Sequence, residues 1–186
     1  MSEWIFGYGS LVADALGPDR YNDSPWEWTA LLDHRRAWNV SMDNTHTESD
    51  RKYYIDTATG ERPDLAVTFL NVYQAPGDRT NGVAVLLGED HIRILDKREQ
   101  NYERVDVSNL VSVSNSRPVW TYMASKSGRE RYQAGLAAGN ACVSKDYFEY
   151  CMKGFDLGGE DQLSAFNSST DSLEVPLRDL RLTQAS

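Results

Sequence analysis

The chain has 186 residues, 40% of them hydrophobic, which is enough to bury the core of one domain without disulfides or metal ions. Its formal net charge of −9 argues against a nucleic-acid partner, because phosphate binding requires clustered positive charge and the lysines and arginines here are scattered among acids. No segment approaches the roughly 20 apolar residues of a membrane span, so we expect no membrane partner.

The cysteines and the first residues predict a reducing location. Cys142 and Cys151 lie on a stretch predicted to be helical, where two buried, inert thiols are more common than a disulfide or a metal site. Glu3 stands where a signal peptide would carry positive charge, so we expect a cytoplasmic protein. No two His, Cys or acidic residues show ligand spacing supported by a second pair, and no metal is expected.

The first half of the chain has the composition of strands separated by turns. The segment 12–25 is rich in turn residues, and the polar stretch 43–64 is predicted to be a long loop. Pro76-Gly77-Asp78 and Asn81-Gly82 indicate turns between two strands. Four segments are rich in β-branched and aromatic residues and are predicted strands: 4–8, 34–42, 65–73 and 83–87.

The second half alternates helices with strands. After Gly158 and Gly159 the chain is rich in Ser and Asp and is predicted to be an extended or partly ordered tail. The whole pattern predicts the α+β class: a single domain over 1–158 with a mixed, barrel-like sheet and packed helices, followed by a tail at 159–186. The predicted helices are 89–102, 129–138 and 145–153, and the predicted strands are 104–113 and 118–124.

One acidic residue of the predicted helix 89–102 falls on its apolar face. Ile92, Leu95 and Tyr102 share one side of this helix, and Glu99 completes the stripe. A carboxylate on that face is costly unless it is paired or hydrogen-bonded. Glu99 therefore has two interpretations: a buried salt bridge, or a general acid/base, since a carboxyl group removed from water can take up and return a proton near neutral pH. Periodicity does not choose between them.

The opening stretch WIFGYGSLV, residues 4–12, ends a predicted strand with two glycines. A dinucleotide-binding fingerprint would need glycine at Val12, and a Walker loop would need Gly-Lys-Ser/Thr. A serine-nucleophile turn would need glycine at Tyr8 and Val12, together with a histidine that has no accompanying signature here. Two interpretations remain: a plain tight turn, or a turn whose backbone amides bind a carboxylate or a developing oxyanion.

Four motifs, in order, resemble the γ-glutamylcyclotransferase superfamily, which includes γ-glutamyl and γ-glutamylamine cyclotransferases and the ChaC-type glutathione-specific enzymes. They are FGYGSL at 6–11, HRRAWNV at 34–40, NGVAVLL followed by ILDKREQNYERV, and VWTYMA at 119–124 followed by RERYQAGLAAG. The similarity spans about residues 4 to 158, and its most specific parts are the YGSL and Leu-Asp-x-x-Glu motifs. The chain departs from the family at Gly128-Arg129, where many members carry Pro-Ser, and in its polar insertion at 43–64.

The resemblance implies a reaction and a set of site residues. In the family, the α-amine of a γ-glutamyl group attacks its own γ-carbonyl and releases 5-oxoproline with a free amine or amino acid, without metal or cofactor. The family's acid/base glutamate corresponds to Glu99, and the backbone amides of 8–11 would hold the substrate and the oxyanion. The substrate-binding residues implied in this way are Phe6, Gly7, Tyr8, Gly9, Ser10, Leu11, Tyr122 and Tyr132.

Several γ-glutamyl substrates fit this resemblance: glutathione, γ-glutamyl amino acids, γ-glutamylamines, or a γ-glutamyl-protected biosynthetic intermediate. We expect a small γ-glutamyl amine or amino acid. The alternative from another class is a non-catalytic small-molecule binding domain of the same fold, although a pure binder gains little from a desolvated carboxylate at Glu99. A nucleotide or nucleic-acid binder is disfavoured by the net charge and by the missing third glycine.

Overall fold

The computed structural model describes residues 2–17, 21, 24–45 and 52–184. The strands in these residues are β1 (Ser2–Gly7), β2 (Trp26–Asp43), β3 (Lys52–Asp56), β4 (Ala66–Gly88), β5 (Tyr102–Asp106), β6 (Val119–Ala124), β7 (Ala141–Ser144), β8 (Leu177–Arg178) and β9 (Leu180–Gln184). The helices are α1 (Ser10–Leu16), α2 (Glu89–Arg98), α3 (Lys126–Ala138), α4 (Lys145–Leu157) and α5 (Glu160–Ser168). None of these helices is both long and apolar enough to cross a membrane.

Seven strands form one mixed sheet, and β3 pairs separately with β9. The order in the large sheet is β5-β6-β1-β4-β7-β8, and β2 pairs with β4 outside this path. β1 is antiparallel to β4 and parallel to β6, and it is buried from Trp4 to Gly7 in the middle of the sheet. The expected α+β class, with a mixed sheet and packed helices, is confirmed.

The strand β4, which pairs in antiparallel fashion with β2, is longer than the sequence predicts. Residues 66–88 form one strand rather than two strands separated by turns, because β2 pairs with residues 66–74 and 79–85 of β4. The predicted turn at 76–78 lies in residues 75–78, where this pairing is interrupted and Gly77 has φ 89°. Gly82, a predicted turn residue, lies inside this strand. A Cβ at Gly82 would stand 2.2 Å from the carbonyl oxygen of Gly7, so the absence of a side chain lets β1 and β4 approach closely.

Two segments that the sequence predicts to be irregular contain regular structure. β3 lies within the predicted loop 43–64, of which residues 46–51 are outside the described residues, and it pairs with β9 from the predicted tail 159–186. The tail also forms α5 and β8, and β8 pairs in parallel with β7. The described part of this segment thus contains a helix as well as extended strands, and Phe166 and Leu180 are buried in the core.

A buried arginine joins this C-terminal segment to the sheet. Arg36 on β2 is fully buried, and its guanidinium lies 4.3 Å from the centroid of the Phe166 ring. Its Nη1 donates to the hydroxyl of Thr170 at 2.8 Å, and its Nη2 donates to the carbonyl of Asn81 at 2.5 Å. Burial lowers the pKa of Arg36 to about 9. The segment after α4 is therefore held by a cation as well as by apolar contacts.

The helix α1 occupies part of the segment 12–25 that the sequence predicts to be turns. Most of its side chains are buried, including Asp14, because α1 packs against α4. A Cβ at Gly154 of α4 would stand 2.6 Å from the backbone nitrogen of Ala13, so glycine permits direct contact between the two helices. This packing places the first turn of α1 beside the carboxyl end of β1.

Candidate active site

A cavity lies at the carboxyl end of β1, where side chains from α1, α2, α4, β4 and β6 converge. It contains about 400 Å³ of empty space, counting the part open to solvent. The lining residues are Phe6, Gly7, Tyr8, Gly9, Ser10, Leu11, Leu70, Leu95, Arg98, Glu99, Tyr102, Tyr122 and Tyr147. Of the residues predicted for the site, all but Tyr132 are therefore brought together.

One wall of the cavity is the turn from β1 into α1. The strand ends at Gly7, and the helix begins at Ser10. A Cβ at Gly7 would stand 2.6 Å from the Cβ of Leu11, so only glycine leaves room for this return of the chain. The first N–H groups of a helix have no acceptor within the helix. Ser10 and Leu11 line the cavity at such a helix start, although the turn lacks the glycine pattern of a phosphate loop.

Glu99 reaches the cavity from the end of α2. Ile92 and Leu95 are buried as the helical stripe predicts, but the helix ends at Arg98 rather than at Tyr102. Glu99 is the residue that ends it, with φ −91° and ψ 43°, and its backbone N–H donates to the carbonyl of Leu95 at 2.9 Å. Its side chain is 19% exposed. The apolar stripe thus correctly predicts that Glu99 faces inward, through a helix end rather than a helix interior.

The carboxylate of Glu99 has a cationic neighbour. Arg98 Nε donates to Glu99 Oε1 at 2.7 Å, and Arg98 Nη1 donates to Asp14 Oδ2 at 2.8 Å. The other oxygen of Asp14 accepts a 2.7 Å hydrogen bond from the hydroxyl of Tyr150. Burial alone lowers the pKa of Arg98, but Glu99 and Asp14 together raise it above its usual value. The salt-bridge interpretation of Glu99 and its position at a cavity are therefore both observed.

Tyrosines form most of the remaining polar lining. The hydroxyl of Tyr102 donates to the carbonyl of Leu70 at 2.7 Å, and that of Tyr122 donates to Asp96 Oδ1 at 2.7 Å. Burial, followed by the nearby Glu99 carboxylate, raises the pKa of Tyr8 well above its usual value. These hydroxyls consequently stay protonated at neutral pH and act as hydrogen-bond donors rather than as bases.

Tyr132 lies elsewhere in the fold. It is buried on α3, and its hydroxyl donates to Glu174 Oε2 at 3.3 Å. The helix α3 packs against β2, β4 and β7, with Gly135 so close to Ala66 that a Cβ would stand 2.4 Å from it. This packing directs Tyr132 to the C-terminal segment and not to the cavity, so we assign it no contact with substrate.

The sequence reasoning missed several lining residues. Tyr102 and Leu95 could have been found, because they share the apolar stripe that selects Glu99. Arg98 and Tyr147 carry no comparable signal: one is a charged residue among several on α2, and the other is one of two tyrosines on α4. They reach the site because α1, α2 and α4 all contribute side chains to the same cavity.

The two cysteines are free and buried, as the sequence predicts. Burial raises the pKa of Cys142 to about 11 and that of Cys151 to about 12, so neither is a thiolate at neutral pH. In the part of the chain that the structure describes, no three His, Cys, Asp or Glu residues are grouped to hold a metal ion.

Comparison with solved protein structures supports the fold independently of the sequence motifs. No protein-family model and no curated protein matches the sequence. A solved γ-glutamyl cyclotransferase superposes with a TM-score of 0.55 at 13% identity, over 96% of this chain and 95% of its own. An uncharacterised human protein superposes with a TM-score of 0.54 at 15% identity, over 94% of this chain and 93% of its own.

These two likenesses define the class of structure. The chain has the γ-glutamyl cyclotransferase fold along nearly its whole length, which confirms the fold that the motif resemblance implies. The likeness extends through α5 and the strands after it, since almost the entire chain is covered.

Proposed function

We propose that the chain is a γ-glutamylcyclotransferase-type enzyme that converts a small γ-glutamyl compound into 5-oxoproline and a free amine or amino acid. The observation that carries the proposal is the convergence of Glu99 and the β1–α1 turn on one cavity. A carboxylate and a set of backbone donors are the two elements that an intramolecular acyl transfer needs.

Glu99 acts as the general acid/base in this proposal. Its carboxylate accepts one proton from the α-ammonium of the substrate, and the resulting amine attacks the γ-carbonyl carbon to close a five-membered ring. The ring nitrogen then loses a second proton to water. Glu99 returns the first proton to the leaving nitrogen as the γ C–N bond breaks, so the leaving group departs as a neutral amine and 5-oxoproline keeps one N–H. The released amine takes up a proton from water to become an ammonium, which balances the second proton. No electrons are exchanged, and no redox cofactor is needed.

The β1–α1 turn and the aromatic lining hold the flexible glutamyl chain in its folded form. Because the attack is intramolecular, much of the acceleration comes from restricting the chain to conformers in which the amine faces the carbonyl. The amides at Ser10 and Leu11 are suited to the oxygen that gains negative charge. Tyr8 and Tyr122 supply side chains at the same wall.

The two free cysteines support a cytoplasmic location for the proposed reaction. Cys142 and Cys151 form no disulfide with each other and are buried, and free thiols are usual in a reducing compartment. We therefore propose that the reaction takes place in the cytoplasm, where glutathione and other γ-glutamyl compounds would be its candidate substrates.

A panel of γ-glutamyl compounds tests the function directly. Purified protein is incubated with glutathione, a γ-glutamyl amino acid and a γ-glutamylamine, and 5-oxoproline is quantified by mass spectrometry. We expect release from at least one of them, with a small γ-glutamyl amine or amino acid turned over best. Binding of these compounds without any 5-oxoproline would instead support the non-catalytic binding domain of the same fold.

A further inference from the structure

Arg98 lies between two carboxylates that belong to different parts of the fold. Its Nε binds Glu99 Oε1 at 2.7 Å, and its Nη1 binds Asp14 Oδ2 at 2.8 Å. A guanidinium has a rigid planar fork, so fixing one of its edges fixes the direction of the other donors. Arg98 thus connects the carboxylate at the cavity to α1.

Asp14 is anchored more firmly than Arg98. Its side chain is only 3% exposed, and its Oδ1 accepts from the hydroxyl of Tyr150 on α4 at 2.7 Å. The close contact of Gly154 with Ala13 sets the separation of α1 and α4. A buried carboxylate held by two helices is a fixed point from which an arginine can be oriented.

Glu99 by itself lacks such an anchor. It follows the last residue of α2, and the chain turns there, with the N–H of Tyr102 bonded to the carbonyl of Glu99 at 2.9 Å. A glutamate side chain has three rotatable bonds, and holding it in one rotamer costs entropy that a specific partner must offset. The bond to Arg98 engages Oε1 and leaves Oε2 for proton transfer.

We propose that Arg98 and Asp14 are positioning residues: Asp14 orients the guanidinium of Arg98, and Arg98 orients the carboxylate of Glu99 toward the reacting nitrogen. This inference rests on the proposed function, in which Glu99 moves the proton. It assigns to α1 a second role, because the same helix supplies Ser10 at the cavity wall and Asp14 behind it.

Kinetics of Arg98→Ala test the assignment. We expect kcat to fall about 100-fold, the effect of a misplacement of roughly 1 Å, while KM stays within about 2-fold because substrate contacts are retained. Guanidinium chloride at low millimolar concentration should restore part of the kcat by refilling the vacated site. Arg93→Ala is the matched control, since Arg93 lies on the same helix but pairs with exposed Glu89 and Asp90.

Two further variants keep the test decisive if Arg98→Ala does not fold. Arg98→Lys retains the charge but not the fork, so we expect a kcat about 10-fold below the wild type with the melting temperature unchanged. Asp14→Asn should lower kcat in the same direction, and combining it with Arg98→Lys should add little, because the two residues act as one unit. Wild-type kcat in Arg98→Lys, or fully additive losses, would overturn the proposal.

Crystal structures of the wild type and of Arg98→Ala give a readout that does not depend on turnover. We expect the Glu99 carboxylate to leave its position or to occupy several rotamers in the variant. An unmoved carboxylate overturns the positioning role, whatever the protein catalyses. Failure of the proposed function is a separate result, namely the absence of 5-oxoproline from the wild-type protein with every γ-glutamyl compound.

Discussion

The hydroxyl of Tyr8 donates a hydrogen bond of 2.5 Å to the backbone carbonyl of Tyr122. The bond runs from the turn after β1 to the neighbouring parallel strand β6, so it ties the wall of the cavity to the sheet. It also joins two residues that the motif resemblance selects independently, one in YGSL and one in VWTYMA. The consequences of losing this and other contacts can be measured.

We expect Tyr8→Phe to lower the free energy of unfolding by about 1–2 kcal/mol, because the buried carbonyl of Tyr122 loses its donor while the ring still fills its space. Urea unfolding followed by tryptophan fluorescence measures the change. Tyr73→Phe is a suitable control, since the Tyr73 hydroxyl binds Asp171 at an exposed position. Equal stabilities of wild type and Tyr8→Phe would show that the bond contributes nothing to folding.

Glu99→Gln should abolish 5-oxoproline release while leaving the circular dichroism spectrum and melting temperature close to those of the wild type. The amide keeps the shape of the side chain and can still accept from Arg98, but it cannot carry a proton. Glu103→Gln changes an exposed glutamate nearby on β5 and should retain activity. Substantial turnover by Glu99→Gln would rule out Glu99 as the proton carrier.

Gly7→Ala should destabilise the chain by about 1–3 kcal/mol and reduce turnover. The added methyl would stand 2.6 Å from the Cβ of Leu11, so α1 must shift away from the end of β1. Gly88→Ala is the matched control, because nothing lies within 4 Å of a Cβ at Gly88. Chemical denaturation compares the two variants, and similar losses from both would mean that α1 yields to the added methyl without cost.

The buried tyrosines predict a loss of stability in alkali. Burial raises the pKa of Tyr8, Tyr102 and Tyr147 well above the usual 10.0. In the unfolded chain these phenols lose protons near pH 10, whereas the folded chain retains them, so their stabilising contribution is complete below pH 10 and declines as the pH rises further. Arg36, whose pKa is lowered to about 9, acts in the opposite sense, but as a single group.

Absorbance at 295 nm and circular dichroism, recorded together from pH 8 to pH 12, check this expectation. Ionisation of the buried tyrosines should coincide with unfolding in a single cooperative step. Normal titration of all tyrosines in a chain that stays folded would contradict it.

A chain ending at residue 158 tests the domain boundary that the sequence predicts. We expect this fragment to be insoluble or to lack a cooperative thermal transition, because Arg36 would lose Thr170 and Phe166 and become a buried cation with fewer partners. Phe166→Ala in the full chain should cost about 3–5 kcal/mol through the cavity it leaves. A soluble, cooperatively folded fragment would favour the boundary at 158.

The parts of the fold that follow from local patterns were predictable, and those that depend on distant partners were not. The stripe of Ile92 and Leu95 places Glu99 on the inner side because helical periodicity is a local property. Gly82 misled the prediction, because β2 pairs with it and it serves close packing instead of a turn, whereas Gly77 does lie where the pairing with β2 is interrupted. The residues around Gly82 do not indicate that β2 will pair with them.

The candidate site shows the same division. The glycines and Ser10 of the opening motif were identifiable, since their spacing is a local signature. Arg98 was not, because its role depends on Asp14, a residue of a helix that the sequence predicts as turns. Tyr132 was selected by resemblance but is turned toward Glu174 by the packing of α3.

The pairing of β3 with β9 has a consequence for how the protein is made. Residues 52–56 pair with residues 180–184, and Arg36 donates to Thr170 as well as to Asn81. During synthesis on the ribosome, the β3–β9 pairing and the Arg36–Thr170 hydrogen bond can therefore form only after almost all of the described chain has emerged. Contacts of such long sequence separation also slow folding. We therefore expect these two parts of the fold to form late and at nearly the same time, rather than one after another as the chain is translated.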